Sequence, residues 1–499
     1  MGWLIFFPPL LFLLLLYKRS FLNRRLPPGP PGWPIVGNLF DLGTMPHRTS
    51  AGLRKKYGDI LWLKIGAVNS VVILSTKAAT EFFKIHDHAF LDRAVTEVMR
   101  AQDFHLSSLS LAPYGPYWRV LRRLVTVEML VNKRIKETVS VRQKSVDQML
   151  VWIEEEAEKK HGVGIHVARF VFLMTFNLLG NLMISRDLIE PASRDGSEFF
   201  KAMMGFIEWT SKPNLADSFP WLQWLDPQGL KKNMEKDVGN AIDIASKFVK
   251  ERIKEKKVGD REGQRKDFLD LLLEFEGTGK DEPARFSERD INIFIMEIFV
   301  AGSETTSSTI EWALTELLLN PESMAKAKAE ITQVLGSKTK VEENDIANLP
   351  YLQFIIKETL RLHPPIPFLV PRKARQDTEF TGYRIPKNTQ ALVNVWAIGR
   401  DPEVWDDPLS FKPERFSEST IDFKGQHYEL IPFGAGKRMC AGLALAQRIL
   451  HLVLASLLRR FDWELDQSLD RERLDMKEKI GVTMRKSEPL LAVPVKRVT

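Results

Sequence analysis

Hydrophobic residues in this chain keep two rhythms. At Ile60-Leu61-Trp62-Leu63-Lys64-Ile65-Gly66 and Val71-Val72-Ile73-Leu74-Ser75 they crowd into short runs of β-formers, which predict a hairpin. From about residue 77 to about residue 365 helical spacing takes over. Strand patterns return at 389–395 and near the C-terminus, at Gly481-Val482-Thr483-Met484 and at 490–495. The pattern predicts a mainly α protein with small β-sheets near both chain ends.

One helical period outlasts the others. Ser287, with Asp290 three residues on, marks its start, and Asn320-Pro321 marks its stop. The span is about 32 residues, or roughly 48 Å. Its centre reads Ala301-Gly302-Ser303-Glu304-Thr305-Thr306-Ser307-Ser308-Thr309. A mid-helix glycine costs about 1 kcal/mol relative to alanine. Threonine hydroxyls can bond the carbonyl four residues back and bend the helix. These residues predict a weakened centre that opens a polar notch. Taken alone, they are equally a Ser/Thr-rich kink with no chemistry.

The N-terminus has a different character. Residues 3–17 are uncharged, and Lys18, Arg19, Arg24 and Arg25 follow with no basic residue before them. That asymmetry predicts a membrane anchor over 1–25, with the body of the chain on the cytosolic face. The stretch is shorter than the roughly 20 apolar residues of a full span. Residues 26–38, Leu26-Pro27-Pro28-Gly29-Pro30-Pro31-Gly32-Trp33-Pro34-Ile35-Val36-Gly37-Asn38, cannot form a helix and predict an extended hinge. Length alone suggests several domains, yet no linker or repeat divides 39–499, which reads as one catalytic domain. The net charge of +7 is mild and spread along the chain, so nucleic acid is not implied.

Cys440 is the only cysteine in 499 residues, so no intrachain disulfide is available. It sits in Phe433-Gly434-Ala435-Gly436-Lys437-Arg438-Met439-Cys440-Ala441-Gly442, followed by a predicted helix from Ala441 to Leu450. A cysteine at a helix N-terminus has its pKa lowered toward thiolate. A buried packing cysteine is the plainer alternative. The pattern Phe-x-x-Gly-x-Arg-x-Cys-x-Gly, filled by Phe433, Gly436, Arg438, Cys440 and Gly442, resembles the haem-binding loop of the cytochrome P-450 family. Ala441 stands where many plant members carry proline. The resemblance covers essentially the whole chain. It implies the cytochrome P-450 fold, with haem b between two long helices, Cys440 as axial ligand, and Phe433 and Gly434 against the cofactor.

Other segments are similar to further elements of that family. The Ala301–Thr306 stretch resembles its oxygen-activation signature, which implies a catalytic role for Thr305 and proton relay by Glu304. An acid beside a hydroxyl suits proton delivery. Glu358, Arg361 and Arg415 resemble its Glu-x-x-Arg and Pro-Glu-Arg-Phe elements, a structural charge network. Trp118 and Arg122 match its Trp-x-x-x-Arg pattern. Together with Arg372, Arg438 and, more weakly, Arg93, they are expected at the haem propionates, which arginine's fork suits.

For substrate contacts the resemblance implies Ile298, Phe299 and Ala301 on the long helix, Ile366, Phe368 and Leu369 on the 364–370 loop, and Val482. A lid over 102–108 carries Phe104. Phe206, Trp209, Trp221 and Trp224 are expected at a membrane-facing entrance. Residues 40–47 and 393–402 resemble the plant group that contains geraniol hydroxylases and iridoid oxidases, so a terpenoid is the expected substrate. Gly162-Val163-Gly164 and Gly277-Thr278-Gly279-Lys280 fall short of nucleotide-binding motifs. Electrons are therefore expected from NADPH through a separate reductase, docking at Lys133, Arg134, Lys437 and Arg448. The expected enzyme is an endoplasmic-reticulum monooxygenase. Alternatives are an alkaloid or other specialised metabolite as substrate, a haem-thiolate isomerase or dehydratase, a silent membrane scaffold, and a non-haem helical membrane protein.

Overall fold

The computed structural model describes residues 26–189, 198–258, 266–280, 282–466 and 474–497. The expected anchor over 1–25 lies outside them. Six helices frame the body: α1 (Val139–Lys160), α2 (Val167–Ile184), α3 (Leu230–Val258), α4 (Glu288–Leu319), α5 (Pro350–Leu362) and α6 (Leu443–Arg460). The long helix α4 has the expected bounds. Its start is a reciprocal cap: Asp290 N–H donates to Ser287 Oγ at 3.1 Å, and Ser287 N–H donates to Asp290 Oδ2 at 3.0 Å. It runs through the core, packed by α2, α3, α5 and α6.

The centre of α4 differs from expectation, because the helix is unbroken. The hydroxyls of Thr305, Thr306 and Thr309 donate to the carbonyls of Ala301, Gly302 and Thr305, each at 2.8 Å. Gly302 serves packing rather than bending. A Cβ there would lie 2.8 Å from Leu179 Cδ1, where α2 crosses. Helix α2 is itself long and apolar enough to cross a membrane, but it is mostly buried between α1 and α4 and is a core helix.

One sheet joins distant parts of the chain. Its strands are β1 (Ile60–Ile65), β2 (Val68–Ile73), β3 (Asp92–Arg93), β4 (Arg372–Lys373) and β5 (Gln390–Val393), in the order β1-β2-β5-β4-β3. The β2–β5 pair is parallel and the others are antiparallel. The two-residue strands β3 and β4 set Arg93 directly opposite Arg372. Residues 26–38 are tied to the sheet. Trp62 N–H donates to Pro28 O at 2.8 Å and Gly66 N–H to Val36 O at 3.0 Å, so the proline-rich run lies along the sheet edge.

At the C-terminus, Gly481–Thr483 is a turn, and of the expected strand only Met484 is extended. The turn closes the hairpin β6 (Glu478–Ile480) and β7 (Met484–Lys486). Met484 N–H donates to Pro365 O at 2.7 Å, and Ser308 Oγ on α4 donates to Met484 O at 3.0 Å. The hairpin is thus held against both the 364–371 loop and α4. The strand Leu491–Lys496 forms as expected and pairs with Phe461–Leu465 and Ile165–His166.

Two buried carboxylates tie this frame together. Glu358 accepts both Nε and Nη2 of Arg361 at 2.7 Å and Nε of Arg415 at 3.0 Å. Arg361 also donates to the carbonyls of Gly399, Pro408 and Ser410, so the expected network is present. Glu478 accepts from His47 at 3.3 Å, Arg48 at 2.6 Å and Trp396 at 3.2 Å, joining the hairpin to the first described helix. Burial works against its charge, but the His47 and Arg48 hydrogen bonds and the charges of Arg48 and Arg400 win, holding its carboxyl at about 2 rather than 4.5. Its stabilisation is therefore present above pH 4.5 and is lost as pH falls toward 2. Glu478→Gln should cost on the order of 3 kcal/mol at neutral pH by this linkage. In denaturant titrations that deficit should shrink as the medium is acidified; a pH-independent deficit would contradict the charge network.

Candidate functional site

Between the sheet and α6 the chain turns tightly on itself. Gly434 and Gly436 take φ values of +71° and +69°, a region glycine enters without strain. A Cβ at Gly436 would also meet Asp87 Oδ1 at 2.3 Å. Cys440 N–H donates to Phe433 O at 3.0 Å and closes the loop. Phe433 packs on Phe423 with ring centroids 5.5 Å apart. Helix α6 begins at Leu443, two residues later than expected, and runs ten residues further, to Arg460. Cys440 therefore precedes the cap instead of standing in the first turn. Burial pushes its thiol up, while the Gly442 amide, the Arg122 charge and the Leu443 amide act weakly against that. The expected net lowering by the helix does not hold. A coordinated cation is what deprotonates such a thiol. Cys440 presents open surface although protein surrounds it, so that surface faces an interior space.

Helix α4 shows the same signature. Ala301 is exposed in the middle of a buried helix, and Ile298, Gly302 and Thr305 on its face are half-buried. The spacing i, i+3, i+4, i+7 is one helical stripe, and α4 packs directly on α6 behind Cys440. Among expected substrate contacts, Ile298 and Ala301 lie on this stripe, while Ile366 and Val482 are half-buried on the adjoining loop and hairpin turn. Leu369 takes φ +54° and reaches toward Gly434. Phe299 does not join them: it is buried against Phe176 and Phe199, at 4.6 and 5.2 Å, one residue off the stripe. Phe368 turns to the other side, packing with the sheet core and edge-on to His47. Phe104 is buried against Phe206 at 5.1 Å.

The cations converge. Arg372 donates to Asp87 Oδ1 at 2.5 Å and to Ala435 O at 3.0 Å. Arg438 donates to the carbonyls of Leu91, Leu109 and Ala112 and lies 4.1 Å over the Trp118 ring. Trp118 is not a free donor: its Nε1–H bonds Leu109 O at 2.8 Å, so it backs Arg438. Arg122 has no side-chain hydrogen bond among the described residues, and Cys440 is the one group that favours its charge. Arg93, weakly expected, is a full member and donates to Ser110 O and Val370 O. Burial, and then the charges of Arg372 and Arg438, hold Arg93 well below the usual arginine range. Burial and the charges of Arg372 and Arg122 bring Arg438 to about 10. Among the described residues, Asp87, Asp92 and Glu297 answer Arg93, Arg372 and Arg438, and Cys440 answers Arg122. Such a set fits a flat ligand carrying two carboxylates beside a sulfur-held metal.

Glu304 and Thr305 diverge by one helical step. Thr305 faces the interior space, whereas Glu304 is buried toward the β6–β7 hairpin. Neither Glu304 oxygen has a hydrogen-bond partner among the described residues, and Arg485 Nη1 stands 3.7 Å away. Burial pushes the Glu304 carboxyl up; the Arg485 charge and Thr483 pull it down less. Of the expected docking cations, Lys133 and Lys437 are exposed, while Arg134 and Arg448 pair with Glu137 and Glu343. Sequence reasoning missed Asp87 and Glu297. The signal for Glu297 was a lone acid in the apolar run 293–300; Asp87 carried none.

The cytochrome P-450 family matches residues 27–493. The chain belongs to the cytochrome P-450 family. It is 55% identical over 475 residues to cytochrome P-450 76A2 of Solanum melongena, which covers 95% of this chain and 94% of that protein. It is 50% identical to an iridoid oxidase of Catharanthus roseus (98% and 96% covered) and 41% identical to a geraniol 8-hydroxylase of the same plant (99% and 99%). A zebra fish cytochrome P-450 solved with progesterone superposes with a TM-score of 0.76 at 25% identity, covering 90% of this chain and 99% of that one. This cytochrome P-450 is accordingly a monooxygenase whose cofactor is haem held by a cysteine thiolate.

A carboxyl whose folded pKa exceeds its unfolded value costs stability as pH rises through the interval between them. Glu304→Gln removes that cost. Its Tm relative to the parent should climb as pH rises above the ordinary carboxyl value of 4.5. A flat or falling difference would show that Glu304 is not held in its neutral form.

Proposed function

We propose that this cytochrome P-450 inserts one oxygen atom from O2 into a small terpenoid, a monoterpenoid or iridoid, at the endoplasmic-reticulum membrane, with electrons from NADPH through a separate reductase. The observation that carries the reading is the apolar stripe Ile298–Ala301, open beside Thr305 on a buried helix, in a chain half identical to an iridoid oxidase. Haem, when bound, supplies the oxygen activation. Cys440 holds its iron, and Arg122, Arg372, Arg438 and Arg93 neutralise its carboxylates. Phe433 and Gly434 form the wall of the loop, and Trp118 braces Arg438.

Thr305 Oγ1 spends its proton on Ala301 O, which leaves its lone pairs toward the interior space as an acceptor. One helical step away, burial raises the Glu304 carboxyl against the pull of Arg485 and so favours its protonated form. Ile298, Ala301, Ile366, Val482 and Leu369 exclude water and offer few polar contacts, which suits a hydrocarbon-rich substrate.

Membrane seating is supported by the surface. Trp33, Ile35 and Phe40 (75% exposed) and Trp221, Trp224 (81% exposed) and Leu225 lie on two segments joined through Gly66–Val36 and Ala67–Ser218 hydrogen bonds. That apolar surface adjoins the start of the described chain. Of the expected entrance residues only Trp221 and Trp224 are on it. Phe206 is core, and the Trp209 indole donates to Asp237 at 2.6 Å.

The test is expression with a plant reductase and incubation with NADPH and monoterpenols, iridoids, sesquiterpenes and benzylisoquinolines, reading product masses. One oxygen should be gained on a monoterpenoid or iridoid and lost without NADPH. Product from a benzylisoquinoline alone would move the substrate class to alkaloids, and product without NADPH would indicate an isomerase or dehydratase. Thr305→Ala should keep haem while diverting more NADPH to peroxide, by a factor of about 10 or more in coupling; unchanged coupling would contradict its role.

A further inference from the structure

Glu297 lies on α4 two turns before Glu304 and is buried. Its carboxylate is fully engaged by one short loop. Oε1 accepts Ser108 Oγ at 2.8 Å and Ser110 N–H at 2.7 Å, and Oε2 accepts Leu109 N–H at 2.6 Å. The carbonyls of the same loop point the other way, to the cations. Leu109 O accepts Trp118 Nε1 and Arg438 Nη1, Ser110 O accepts Arg93 Nε, and Ala112 O accepts Arg438 Nη2 at 2.6 Å. The peptide joining Leu109 to Ser110 therefore stands between an anion at its N–H end and a cation at its C=O end. Each hydrogen bond in such a chain polarises the next.

We infer that Glu297 is a positioning residue for the haem-carboxylate pocket: by fixing the 108–110 loop it aims the Leu109 carbonyl at Trp118 and Arg438 and the Ser110 carbonyl at Arg93. The inference rests on the haem reading above. It makes the helix that carries Thr305 and Glu304 the mechanical support of the cationic pocket as well. It also places the anchor directly after the Phe104–Ser107 helix of the lid, so lid position and cofactor grip share one carboxylate.

Glu297→Gln tests this with little change in size. Its amide must turn an NH2 toward a backbone N–H of Leu109 or Ser110, and that donor–donor contact removes at least one of the three hydrogen bonds. In haem-loaded protein, transfer of haem to apomyoglobin should become about tenfold faster, the scale of one lost hydrogen bond to a charged group. The propionate bending bands of the resonance Raman spectrum should shift as well. Glu297→Asp, one methylene short but still an acceptor, should fall between the two and carries the test if the glutamine variant does not fold. A lower Tm with parental haem-transfer rate and unshifted propionate bands would reduce Glu297 to a fold residue and overturn the inference. A parent protein without a thiolate-type carbon monoxide band would instead overturn the haem reading beneath it.

Discussion

A guanidinium inside a protein is tolerated only where something answers its charge. This molecule gathers Arg93, Arg122, Arg372 and Arg438 beside one cysteine; Asp87, Asp92 and Glu297 answer three of them, and the cysteine answers Arg122. Much of the local architecture follows from that constraint. The sheet register brings Arg93 and Arg372 side by side. The glycine turn before Cys440 admits Asp87, which pairs with Arg372 and accepts Lys437 N–H. The 108–112 peptides are clamped between α4 and Arg438. Four segments far apart in the chain are thus held around one region of excess positive charge, which is what a dianionic cofactor requires.

The frame around that region relies on the same physics with opposite sign. Glu358 and Glu478 are each buried, and each is paid back by several donors. Removing one partner from such a network leaves an uncompensated charge and costs roughly 3–5 kcal/mol. Glu304 breaks the rule. It is buried with no hydrogen bond to either oxygen among the described residues, and burial favours its neutral form. A buried carboxyl left without a hydrogen bond costs the fold stability.

The long helix was legible in the chain because cap, stop and periodicity agreed, and the Cys440 loop because five fixed positions coincided. The charge network of Glu358, Arg361 and Arg415 was legible for the same reason. What pattern could not give was direction. Phe299 and Ile298 are neighbours in sequence, yet one is core and the other borders the interior space, because successive helical side chains point about 100° apart. Gly302 looked like a weak point and is a crossing contact, since the sequence does not announce Leu179. Trp118 was expected to face the cofactor and instead holds Leu109, a partner contributed by an irregular loop. The extended form of the proline-rich run was legible, but not the sheet edge that takes its hydrogen bonds.

Cys440 as the iron ligand is what gives this cationic pocket its meaning. The reduced carbon monoxide difference spectrum of the purified, full-length protein tests that most directly. It should show the strongly red-shifted Soret band of a thiolate-ligated haem. A band at the position of imidazole-ligated haem, or no Soret band at all, would contradict the assignment of Cys440 and with it the reading of the arginines as a haem-carboxylate site.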